Sequence, residues 1–279
     1  MSMACQNVNK IMANVLPLSQ FTSWQRLQFS NKALETPLEI LLFNTNNLTQ
    51  FETDELASTW LTDKEYQVFT RRKAKSAKKE FVASRILIKQ LVRAWLFNEK
   101  RKFIGGSEAL TFKSISVCFN EQLSRLEVFV RNKRLPVTVS ISHSAGQVLI
   151  AFSPRAIELG VDIEKYKQKR NVIKLSEHFY HTLEAQMVNQ LGEEYFYRIW
   201  TLKESLAKAS QQGIMDLLAK DTLSQLAYQF PNMSFVSTNE YQVTDVNNIK
   251  HRFDLTVMAT NVGFEGIQIL QMTKQDLKN

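Results

Sequence analysis

The chain has 279 residues and a mass of 32.3 kDa, which suits one large or two modest domains. Hydrophobic residues make up 44% and charged residues 22%, which excludes a disordered chain, and a total of 8 glycines excludes collagen-like and Gly-loop-rich readings. The net charge of +8 suits acidic or polyanionic partners, or simply solvated helix faces.

Residues 1–36 are weakly patterned and read as an N-terminal arm. They lack the basic start and apolar stretch of a signal peptide, and no apolar run in the chain is long enough to span a membrane. Cys5 and Cys118 make neither a disulfide framework nor a zinc site, so the expected location is the cytoplasm. Leu38–Phe43 reads as a buried strand. Thr62 and Glu65 form a capping-box signature that opens a helical region running to about Phe97. Phe112–Phe119, Leu126–Val130, Val137–Ile141, Val148–Phe152 and Glu158–Ile163 read as strands. Helices then dominate from Asn171 to Lys220, and short strands return between Ser234 and Met272. Basic clusters lie at 71–79, 100–102, 131–134 and 165–170.

The order of strand, helices and strands occurs twice. Adding 119 to a position carries Glu39 onto Glu158, Glu65 onto Glu184, Phe81 onto Trp200, Leu87 onto Leu206 and Lys89 onto Lys208, with no gap. The expected fold is α+β: two similar α/β halves, 37–135 and 136–279, in a pseudo-twofold arrangement with the active site in the cleft between them.

Three constellations carry chemistry. In Gly160-Val161-Asp162-Ile163-Glu164, strand alternation sends Val161 and Ile163 to the core and Asp162 and Glu164 to the opposite face. Two carboxylates there either hold a hard cation such as Mg²⁺ or line the wet face of an edge strand. In the helix through Trp200 and Lys208, the residues Ile199, Leu202, Leu206 and Ala209 form the apolar stripe, and Glu204 lies almost opposite it. Glu204 and Lys208 make an i,i+4 pair, and the large aromatic Trp200 beside them suggests that this face looks into a cleft. In Ser140–Ser144, His143 between two serines suits phosphate oxygens or a structural role.

These motifs resemble the 4′-phosphopantetheinyl transferases of the larger, pseudo-dimeric, surfactin-synthetase-activating class. The resemblance rests on Ser142-His143-Ser144, on Gly160–Glu164, and on Trp200-Thr201-Leu202-Lys203-Glu204-Ser205-Leu206-Ala207-Lys208, in that order. Phe179-Tyr180 with Glu184, and Phe81–Lys89, support it. It implies transfer of phosphopantetheine from coenzyme A to a serine of an apo carrier protein, with release of adenosine 3′,5′-bisphosphate. It implies Mg²⁺ held by Asp162, Glu164 and Glu204. Glu204, Lys208 and His143 are the implied catalytic residues, Glu204 also deprotonating the serine. Ser142, His143, Lys133, Arg85, Arg71, Lys203 and Lys208 are the implied coenzyme A contacts. Lys133 stands in Asn132-Lys133-Arg134-Leu135-Pro136, where the family has a Gly-Lys-Pro loop. A monomer is expected, with an acidic carrier protein as partner and neither membrane nor nucleic acid. The alternatives are a basic nucleic-acid-binding module and a non-catalytic coenzyme-A-binding paralogue.

Overall fold

A computed structural model of the chain describes residues 21–23, 38–98, 110–264 and 268–278. Most of the expected N-terminal arm and the basic cluster at 100–102 lie outside the described residues. In chain order the elements begin with β1 (Phe21–Ser23), β2 (Glu39–Asn44), α1 (Gln50–Trp60), α2 (Asp63–Arg71) and α3 (Lys75–Asn98). β3 (Ile115–Asn120), β4 (Arg125–Val130), β5 (Lys133–Arg134), β6 (Thr138–Ser144), β7 (Gln147–Ser153) and β8 (Leu159–Lys165) follow. Then come α4 (Val172–Phe179), α5 (Thr182–Leu191), α6 (Glu193–Ser210), α7 (Ile214–Leu218) and α8 (Thr222–Tyr228). The last strands are β9 (Met233–Thr238), β10 (Gln242–Thr244), β11 (Lys250–Thr260) and β12 (Ile269–Met272). The fold is α+β.

The chain forms two compact units, one of residues 22–156 with 269–279, the other chiefly of residues 157–268. The boundary therefore differs from the expected 135/136. The reason is strand pairing: β7 lies antiparallel to β2, β6 antiparallel to β7, and β12 parallel to β2, so residues far apart in sequence share one sheet. Alternation along a strand reports which face is buried but not which sheet the strand joins.

In the 22–156 unit the sheet order is β1-β12-β2-β7-β6, with a smaller sheet β3-β4-β5 beside it. Ile40, Leu41, Leu42 and Phe43 of β2 are fully buried on both faces, and each such side chain contributes about 2 kcal/mol. Helix α3 covers this sheet with Val82, Ile86, Leu87 and Leu91. The expected helical region consists of two helices, the first ending at Arg71 and the second beginning at Lys75. A further helix, α1, precedes them with its own capping box, Thr49 and Glu52.

In the 157–268 unit β11 is central, with β8 on one side and β9 and β10 on the other. Helix α6 packs on β8 and β11. The two units follow one plan. In each, a first strand leads into helices, then an outer strand, then a middle strand that pairs with the first: β2, β6 and β7 in one unit, β8, β9 and β11 in the other.

A buried acid recurs at the 119-residue offset. Glu65, at the third position of α2, accepts Lys89 Nζ at 2.6 Å on one oxygen and the Val117 N–H at 2.9 Å on the other. Glu184, at the third position of α5, meets Lys203 Nζ at 2.8 Å and accepts the Thr222 N–H at 2.9 Å. In each unit one carboxylate thus ties a helix start to the long helix and to a later segment.

Candidate active site

The site begins with a close approach of backbones. A Cβ on Gly160 would sit 1.9 Å from the Ser205 carbonyl oxygen. Only a glycine lets α6 lie this close to β8. Below that contact, Arg198 and Asp254 form a fully buried ion pair at 3.0 Å. Thr201 Oγ1 lies 3.0 Å from Asp254 Oδ1 and 2.8 Å from Thr256 Oγ1. Burial pushes the Asp254 carboxyl up, while Arg198, Thr201 and Tyr166 pull it down. Removing one member of such a pair costs about 3–5 kcal/mol, so the network fixes α6 in register on the sheet.

That register brings the acidic residues together. Asp162 opposes Thr256, and Glu164 opposes Asp254, so these four side chains share the face under α6. Asp162 is 4% exposed, which excludes a wet edge-strand face at that residue. Lys208 Nζ donates to Asp162 Oδ1 at 2.8 Å and to the Val161 carbonyl at 2.9 Å. One turn earlier, Glu204 is half-buried on the same side of the helix. Burial raises its pKa first, then the charges of Asp162 and Glu164, with Lys208 pulling the other way. Glu204 thus feels the charges of Asp162, Glu164 and Lys208, and Lys208 is paired with Asp162. Among the described residues no three acidic, histidine or cysteine side chains converge closely enough to enclose an ion by themselves. The donor set still suits a hard cation that takes few protein oxygens and completes its shell with phosphate and water.

Comparison with known proteins falls on this segment. Residues 158–252 match a sequence model described as the 4′-phosphopantetheinyl transferase superfamily. That span contains Asp162, Glu164, Glu204 and Lys208, and it ends two residues before Asp254.

Over this segment, about a third of the chain, the sequence is similar to the 4′-phosphopantetheinyl transferase superfamily.

A Synechocystis protein whose name assigns it provisionally to the 4′-phosphopantetheinyl transferases is 35% identical over 92 residues, 32% of this chain and 37% of that protein. The chain thus spans about a third of the length of the curated relative it matches.

Within the matched segment, Lys203 differs from expectation. It is 1% exposed, bound to Glu184 and to the carbonyls of Leu217 and Lys220, so its ammonium serves the fold and does not reach a ligand. It sits one residue, or 100°, around the helix from Glu204, and that turn carries it into the interior. Trp200 is half-buried, stacked on Phe196 at 6.3 Å and covered by the Arg170 guanidinium at 5.3 Å.

The other expected residues belong to the 22–156 unit. Lys133 and Arg134 are exposed on β5, after a two-residue turn at Arg131 (φ 48) and Asn132 (φ 64). Arg134 is held to Glu127 at 3.1 Å. Arg71 is exposed at the end of α2. Arg85 is 6% exposed and lies over Phe81 at 4.4 Å, and burial lowers its pKa to about 10. Of the two arginines, Arg71 is the one open to a ligand. Ser142 is buried on β6, and His143 follows it with a 54% exposed side chain.

The Arg198–Asp254 network was not singled out from the sequence. Its available signal was an aspartate inside the apolar run Phe253–Ala259. Glu80, which faces His143, gave no such signal.

Proposed function

We propose that the protein transfers the 4′-phosphopantetheine arm of coenzyme A to a serine of an apo carrier protein. The observation that carries this reading is the meeting of Asp162, Glu164, Glu204 and Lys208 where α6 crosses β8, inside the segment that matches the superfamily. In the reaction the serine oxygen forms a bond to the β-phosphorus of coenzyme A. The bond from that phosphorus to the bridging oxygen breaks, and adenosine 3′,5′-bisphosphate leaves with the electron pair.

Asp162, Glu164 and Glu204 would hold Mg²⁺, which supplies charge neutralisation at a diphosphate when bound. Lys208 neutralises Asp162 and offers a second positive charge to the leaving phosphate. Glu204, its proton affinity raised by its surroundings, accepts the serine proton directly or through water. Ser142, His143, Lys133 and Arg71 grip the nucleotide's phosphates. The net charge of +8 favours encounter with an acidic carrier.

The test is mass spectrometry of apo acyl, peptidyl and polyketide carriers incubated with the protein, coenzyme A and Mg²⁺. A gain of one phosphopantetheine arm is expected on at least one carrier. No gain on any of them refutes the reading.

A further inference from the structure

Glu80 stands early in α3, with its side chain 11% exposed. Its Oε2 lies 3.1 Å from His143 Nδ1, and its Oε1 accepts the Gly146 N–H at 3.3 Å. Its carboxylate is therefore pinned at both oxygens. The turn that supplies the Gly146 N–H is itself tethered. The Gly146 carbonyl accepts from Thr45 N at 2.8 Å and from Thr45 Oγ1 at 2.9 Å. The Ala145 carbonyl accepts from Asn46 Nδ2 at 3.2 Å. Gly146 has φ +83, and a Cβ there would meet the Asn46 amide at 2.5 Å, so this turn fits its cradle closely.

An ionised carboxylate only accepts hydrogen bonds. In this contact the proton must sit on His143 Nδ1. Nε2 is then the nitrogen left to face outward from a half-exposed ring, an acceptor when the ring is neutral and a donor when it is protonated. A hairpin tip needs no buried acid to close. An acid that ties the turn and also fixes one imidazole nitrogen does what outer partners of functional histidines do, setting both tautomer and ring direction.

We infer that Glu80 is a positioning residue that holds His143 as the Nδ1–H form and presents Nε2 to the nucleotide phosphates. This rests on the reading of His143 as a coenzyme A contact given above.

The first test needs no activity. Long-range ¹⁵N–¹H correlation spectra of the labelled protein, with the His143 signals assigned through H143Q, are recorded at a pH where the ring is neutral. The wild type is expected to show His143 protonated on Nδ1. E80Q keeps one acceptor and retains that form, whereas E80A reverts to the Nε2–H form that imidazole prefers in water. An Nε2–H wild type, or an E80A spectrum like the wild type, overturns the inference. The second test is the KM for coenzyme A, expected to rise about tenfold in E80A with little change in kcat, and to stay nearer the wild type in E80Q. Thermal unfolding of both variants separates loss of the turn from loss of the contact. A changed tautomer with an unchanged KM overturns the ligand side of the inference. A wild type that modifies no carrier would refute the proposed transfer and leave the spectroscopic result to decide the role of Glu80.

Discussion

Lys208→Met isolates the charge balance of the site. The wild-type ammonium lies 2.8 Å from Asp162 Oδ1, with the carboxylate 6% and the lysine side chain 30% exposed. At an effective dielectric constant of about 20, this separation corresponds to roughly 6 kcal/mol of gross attraction. Desolvation of both groups offsets most of it, and the exposure of the lysine reduces it further. A net loss of about 2 kcal/mol is expected, including the lost bond to the Val161 carbonyl. For a chain of this size that lowers Tm by about 5 °C, read by calorimetry in metal-free buffer. Removing the ammonium also takes away the cation paired with Asp162. Added Mg²⁺ should then raise Tm more in Lys208→Met than in the wild type, because binding to the folded state alone adds stability. Equal responses to Mg²⁺ in the two proteins, or an unchanged Tm in metal-free buffer, would refute the reasoning.

Glu204→Gln is expected to abolish transfer and to stabilise the metal-free protein at neutral pH by up to about 1 kcal/mol. The sign follows from the raised pKa. Ionising Glu204 costs the folded state more than the unfolded one, so the penalty grows as pH rises through the folded pKa and vanishes in acid. Urea midpoints at acid and neutral pH measure it. Gly160→Ala places a Cβ 1.9 Å from the Ser205 carbonyl oxygen, so α6 must move off β8, at a cost of about 3 kcal/mol. The transfer rate and the Mg²⁺ response of Tm should fall together. Burial pushes Glu39 up to about 7. The wild type should lose up to about 3 kcal/mol between the ordinary carboxylate range and pH 8, and Glu39→Gln should lose little of this. Chemical denaturation across that range checks it.

Much of the site was legible because chemistry and periodicity coincide at few residues. Strand alternation alone put Asp162 and Glu164 on one face, and the helical projection put Glu204 and Lys208 on another. Their meeting was not legible, since it depends on Gly160 and on the Arg198–Asp254 pair, which join residues 56 positions apart. The capping box at Thr62 was readable, but the break between α2 and α3 was not. No proline or glycine marks it, and Arg72 simply turns extended, with ψ 126. Lys203 and Lys208 look alike in sequence. Helix phase sends one to Glu184 in the interior and the other to Asp162.

The repeated plan has a consequence for stoichiometry. The 119-residue offset carries Phe43 onto Asp162, Thr45 onto Glu164 and Arg85 onto Glu204. Phe43 and Thr45 are sealed in the interior, and a guanidinium stands where the other repeat has its acid. On the proposed reading the three ion-holding carboxylates occur in the 157–268 unit alone, so a calorimetric titration with a divalent cation should end at one equivalent per chain.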